Sequence, residues 1–102
     1  MKLEHRHSFT QEEAVARIKA LTDYWSKKYG VQCDWQADSA HIKGNVKGVS
    51  FDGTFDLKPS LLAAEVKVGF LAERLGGKAY VERKLTEYLD PKNSLDSLKA
   101  RV

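Results

Sequence analysis

Two histidines and one cysteine are the side chains of this sequence best suited to bind a metal ion. His5 and His7 flank Arg6 in the stretch HRHS, and Cys33 is the only cysteine. Residues two apart on a strand point to the same face, about 7 Å from each other, so a thiolate lying opposite would complete a zinc-type ligand set. The sequence contains neither Cys-x-x-Cys nor His-Glu-x-x-His. We therefore assign no metal ligand and no cofactor.

The candidates for a nucleophile and for acid–base catalysis also lack the neighbouring groups that such catalysis requires. Cys33 shares the apolar phase of its segment with Val31 and Trp35, which is typical of a buried small hydrophobe rather than a nucleophile. Asp52 and Asp56 fall on the polar phase of a later segment, where carboxylates usually serve solubility. With no catalytic set, we assign no catalytic residue and expect a binding protein rather than an enzyme.

Composition describes an ordinary globular domain. The 102 residues carry 17 basic and 14 acidic side chains, a net charge of +3, and the basic residues are dispersed along the chain. This pattern disfavours a nucleic-acid partner, which requires clustered positive charge. No apolar run is long enough to span a membrane, and the first residues lack the apolar core of a signal peptide. We therefore expect a cytoplasmic location.

A capped helix is predicted over residues 11–29. Thr10 and Glu13 have the spacing of a capping box, and Gly30 is suited to the left-handed stop. The apolar residues recur at three- and four-residue steps, as on a helix with one buried face.

The segments around this helix alternate with a period of two, which predicts strands. Residues 2–9 alternate first, and four more strands with short turns follow Gly30. A turn is expected at Asp38-Ser39, with Ala37 still on the inward face. The aromatic residues expected on inward faces are Trp25, Trp35, Phe51, Phe55 and Phe70.

The remaining elements complete an α+β domain. Residues 78–89 have helical spacing that ends before Pro91. The predicted order is β-α-β-β-β-β-α: a curved antiparallel sheet with two helices packed on one face, spanning residues 1–91. Residues 92–102 form a tail that we expect to fold as a short amphipathic helix, with Leu95 and Leu98 as candidates for a binding surface.

Several segments resemble the polyhydroxyalkanoic acid system proteins, also described as granule-region proteins. The matching stretches are His7-Ser8, TQEEAVARIKAL from Thr10, Trp35, FDGTFDL from Phe51 and VKVGFL from Val66. Together they span about residues 3 to 90. The resemblance implies a small bacterial protein associated with polyhydroxyalkanoate synthesis or granules. It assigns a role to no residue.

The resulting functional hypothesis is a non-enzymatic accessory protein of polyhydroxyalkanoate storage or regulation. It would bind a polymer surface, a granule protein or an apolar acyl ligand. Two alternatives stay open: a small ligand-binding or enzymatic domain with an apolar pocket between helix and sheet, and a nucleic-acid-binding regulator. The terminal strand, residues 2–8, is also able to pair with a second copy and form a homodimer.

Overall fold

The computed structural model describes residues 2–46, 49–68 and 76–101. Five strands form one open antiparallel sheet: β1 (Lys2–Arg6), β2 (Gln32–Gln36), β3 (Ser39–Val46), β4 (Val49–Lys58) and β5 (Leu61–Val68). The helices are α1 (Gln11–Tyr29), α2 (Lys78–Tyr88) and α3 (Leu95–Lys99). The α+β class and the predicted order of strands and helices are confirmed. The short α3 follows them in the tail.

The order of strands across the sheet is β1-β5-β4-β3-β2. Strands β2 to β5 form a meander, and β1 pairs with β5, with Leu3 opposite Ala64. The N-terminal strand and β2 therefore occupy opposite edges. This order decides which side chains can meet.

Helix α1 forms because its ends are satisfied locally. The Thr10 hydroxyl accepts a hydrogen bond from the Glu13 backbone N–H at 3.1 Å. At the other end Gly30 adopts a left-handed φ of 72° and donates its N–H to the Ser26 carbonyl. The helix packs across β2, β3 and β4, and α2 packs against α1 and β1.

The core lies between the helices and the inward face of the sheet. Ile18 and Leu21 of α1, Phe55 of β4 and Leu62 of β5 are all fully buried. Among the aromatic residues predicted to point inward, Trp25 and Phe55 are buried, and Trp35 and Phe51 are half-buried. Phe70 lies outside the described residues.

One turn differs from the expectation. Gln36 pairs with Ser39, so the loop between β2 and β3 consists of Ala37 and Asp38. Ala37 is exposed with a φ of 53°, not on the inward face of a strand as predicted. A two-residue hairpin loop needs backbone of this left-handed kind to match the strand twist, and here an alanine adopts it.

A buried arginine joins α1 to the end of α2. Arg17 is only 4% exposed, and its Nη1 donates to the carbonyl oxygens of Tyr88 at 3.1 Å and Asp90 at 3.3 Å. Its Nε donates to Glu13, and its guanidinium lies 4.1 Å from the centre of the Phe9 ring. Tyr88 is the last residue of α2, and the last carbonyls of a helix have no partner within it, so Arg17 satisfies the Tyr88 carbonyl from outside.

Candidate functional site

His7 is a structural residue at the junction between β1 and α1. Its backbone N–H donates to the Ser60 carbonyl, which extends the pairing of β1 with β5. Its Nδ1 accepts a hydrogen bond from the Phe9 backbone N–H at 3.2 Å. Burial, with a smaller effect from His5, lowers the pKa of His7 below its ordinary value of 6.5. The imidazole is therefore held in its neutral form.

The sheet order separates the histidines from Cys33. His5 lies on β1 at one edge and Cys33 on β2 at the other, four strand spacings away. At about 4.8 Å per spacing, the strands carrying them are about 19 Å apart. These residues cannot share a metal ion. Within residues 2–46, 49–68 and 76–101, no group of three His, Cys, Asp or Glu side chains is arranged to hold one.

The environment of Cys33 disfavours the thiolate form of its side chain. The thiol is half-buried and lies 3.6 Å from the Thr22 carbonyl, to which it donates. Burial raises its pKa, and the carboxylates of Asp23 and Asp34 act in the same direction. A nucleophilic cysteine requires the opposite shift.

The outward face of the sheet carries two close polar pairs. Oδ1 of Asp52 lies 2.7 Å from Nε2 of His41, and the Ser39 hydroxyl donates to Asp56 at 2.6 Å. The His41–Asp52 contact was not foreseen; the outward phase of both strands, combined with their hairpin register, could have indicated it. About half of each side chain in that pair is open to solvent, so we expect little stabilisation from it.

Among the described residues, clefts border the sheet at two places. One has a volume of about 650 Å³ and includes Lys43, Asp52 and Lys67 of the outward face. The other has a volume of about 400 Å³ and lies between β1 and α2, with His5 on one wall and Glu82 on the other. Both clefts include charged side chains in their lining. Neither of these clefts is the apolar pocket between helix and sheet that the rival hypothesis requires.

The most distinctive surface is formed where α1 meets α2. Tyr24, Tyr29 and Tyr80 are half-buried there, and Lys28 and Lys84 extend over their rings. We call these five residues the tyrosine–lysine surface. Each ammonium group lies 5.0 to 6.0 Å from the ring centres it covers. Such distances are typical of cation–π contacts.

Hydrogen bonds fix the geometry of this surface. Lys28 Nζ donates to the Tyr24 hydroxyl at 2.9 Å, and this bond is the main reason that the pKa of Tyr24 is lowered. Trp25 Nε1 donates to the Tyr80 hydroxyl at 3.3 Å, which joins the two helices. Sequence reasoning missed this surface. The sequence feature that could have indicated it is a tyrosine followed four residues later by a lysine, which occurs at Tyr24 and Lys28 and again at Tyr80 and Lys84.

The tail residues have different environments. Leu98 is fully buried in the core and α3 packs against α1, whereas Leu95 is only half-buried. Leu98 is therefore part of the core.

Among the described residues, no helix combines the length and apolar character needed to cross a bilayer.

The fold defines the class of protein: an open antiparallel sheet covered by helices on one face, in the α+β class. Comparison of the sequence with known protein families then gives the family. Residues 1–92 match the polyhydroxyalkanoic acid system protein family, so the chain belongs to that family. Neither curated proteins nor solved structures give a significant match.

Proposed function

We propose that this chain is a non-enzymatic accessory protein of polyhydroxyalkanoate storage or regulation, located in the cytoplasm, that contacts the polymer through its tyrosine–lysine surface. Membership of the family supports the polyhydroxyalkanoate context. The observation that carries the choice of ligand is the grouping of three tyrosines and two lysines on one surface.

The chemistry of a polyester suits this grouping. The polymer presents apolar methylene and alkyl groups together with ester carbonyls, which accept hydrogen bonds but do not donate them. A tyrosine ring covers apolar groups while its hydroxyl reaches a polar partner, and a lysine stem does the same with an ammonium head. The surface therefore offers apolar area and donors together.

Tyr24 is the best-placed donor. Its oxygen accepts from Lys28, so its own O–H proton remains to donate to an ester carbonyl. The same contact lowers the pKa of Tyr24, which makes the hydroxyl a stronger hydrogen-bond donor.

The interior offers less support for an acyl ligand. Ile18, Leu21 and Phe55 have no exposed surface, and they fill the space between α1 and the sheet. Leu95, half-buried on α3, stays a candidate for an additional apolar contact.

Co-sedimentation with isolated polyhydroxyalkanoate granules tests the proposal. We expect the wild-type protein to sediment with the granules and the Lys28→Ala, Lys84→Ala double variant to bind several-fold more weakly. The matched control is Lys43→Ala, Lys67→Ala, which removes the same charge from the cleft on the outward face and should bind as wild type. Equal loss in both double variants would indicate nonspecific charge attraction. A wild-type protein that stays wholly in solution would contradict polymer contact.

A further inference from the structure

The free edge of β1 exposes a defined set of backbone groups. The hydrogen bond from His7 N to Ser60 O fixes which residues of β1 exchange bonds with β5, because bonded pairs alternate along an antiparallel ladder. His5 and Leu3 lie two and four residues before His7, so their backbone N–H and C=O groups also bond to β5. The N–H and C=O groups of Lys2, Glu4 and Arg6 therefore face away from the sheet.

Helix α2 overhangs this edge. The cleft of about 400 Å³ is lined by residues 2–5 on the strand side and by Lys78, Glu82, Leu85 and Thr86 on the helix side. A groove between a strand edge and a helix is a setting in which an added strand gains both main-chain hydrogen bonds and side-chain contacts.

We propose that β1 of a second copy of this chain pairs with β1 about a two-fold axis, with Glu4 of each copy opposite Arg6 of the other. The strand's own charges select this register. Placing Glu4 opposite Glu4 also sets Lys2 against Arg6, and both contacts repel. Placing Lys2 opposite Glu4 is complementary but overlaps only the start of the strand. The Glu4–Arg6 register is complementary and extends the overlap from Leu3 to His7, whose backbone N–H still bonds to Ser60 beyond the end of β1.

The charges of β2, at the other edge of the sheet, do not favour self-pairing in any register. Asp34 is the only charged residue of β2, so no self-pairing of that strand creates an attractive charge pair. Like charges directly opposite each other in a ladder destabilise it. The charge pattern therefore favours β1 as the self-pairing edge.

The dimer has a consequence for binding. It continues the sheet through both copies and places two tyrosine–lysine surfaces on one particle, so attachment to any extended surface gains from multivalency. The pairing itself does not rest on the proposed polymer contact. It is measured in the absence of polymer.

Charge exchange at the edge tests the proposal. Sedimentation equilibrium measures the molar mass in solution and should show that the wild-type protein is a dimer. Either Glu4→Arg or Arg6→Glu should lower the association constant of the dimer by about tenfold. Combining both substitutions restores opposite charges and should restore the dimer. Glu4 and Arg6 are exposed, so these variants should keep the fold, which circular dichroism checks.

Two further variants identify the register and the edge. Lys2→Glu should leave the dimer intact, because Lys2 lies outside the paired residues in the proposed register. Loss of the dimer in this variant would favour the shorter register, in which Lys2 lies opposite Glu4, and would overturn ours. Asp34→Arg should also have no effect, and a loss there would place the contact on β2. A monomeric wild-type protein at its solubility limit, or a double variant that fails to recover, overturns the proposal. A monomer would leave the edge to a strand from a different protein.

Discussion

Replacing Arg17 with methionine should destabilise the protein far more than removing its acidic partner. The guanidinium is 4% exposed and bonds the carbonyls of Tyr88 and Asp90. A hydrogen bond from a charged group is worth about 1.5–3 kcal/mol, and the longer second bond adds less. The contact with the Phe9 ring contributes about 0.5–1 kcal/mol. Methionine regains part of the packing, so we expect a net loss of about 2–4 kcal/mol.

Urea unfolding followed by circular dichroism measures this loss directly. In a domain of this size, each kcal/mol lowers the melting temperature by about 4–8 °C, so Arg17→Met should lower it by at least about 8 °C. Glu13→Gln is the matched control, because it removes the ion pair but leaves the carbonyl contacts intact. The Glu13 side chain is 43% exposed, so we expect that change to cost less than about 1 kcal/mol.

The comparison separates two roles for the arginine. If Arg17→Met costs no more than Glu13→Gln, the carbonyls of Tyr88 and Asp90 do not depend on Arg17, and our account of the helix junction is refuted.

Four further expectations follow from burial and packing. Gly53→Ala should cost about 1–3 kcal/mol in unfolding experiments, because its Cβ would lie 3.0 Å from Val66 Cγ2; no measurable cost would refute this. Leu98→Ala should cost about 2–5 kcal/mol in the same assay, and an effect near zero would show that the tail does not pack. The stability associated with neutral His7 should be complete above pH 6.5 and diminish as pH falls through its lowered folded pKa. His7→Gln should flatten that pH dependence, and an unchanged profile would contradict the assignment. Cys33 should react with a thiol reagent more slowly in the folded protein than in urea, because its pKa is raised; equal rates would refute its protection.

Local signals explain how much of the fold was predictable. Both ends of α1 are determined by neighbours in sequence: the threonine cap, the acidic first turn and the glycine stop. The strands followed from alternation, since each needs only one apolar face. These features require no knowledge of the rest of the chain.

Long-range pairing explains what was not predictable. Alternation places His7 and Cys33 on inward faces but says nothing about the order of strands in the sheet. The structure puts their strands at opposite edges because β1 pairs with β5. The distance that decides a shared metal site therefore depended on a contact between segments about sixty residues apart.

The surfaces depended on tertiary packing in the same way. Leu98 belongs to an amphipathic pattern that fits either an exposed or a docked helix, and only the contact between α3 and α1 buries it. The tyrosine–lysine surface exists because α1 and α2 lie side by side, so that Trp25 reaches Tyr80. Neither helix alone indicates it.

Adsorption to a protein-free film of polyhydroxybutyrate tests the central claim most directly, because it removes every granule protein from the experiment. We predict saturable adsorption of the wild-type protein, weakened several-fold by Lys28→Ala together with Lys84→Ala and unchanged by Lys43→Ala together with Lys67→Ala. A film that retains no wild-type protein, or that retains both double variants as well as the wild type, would contradict the account.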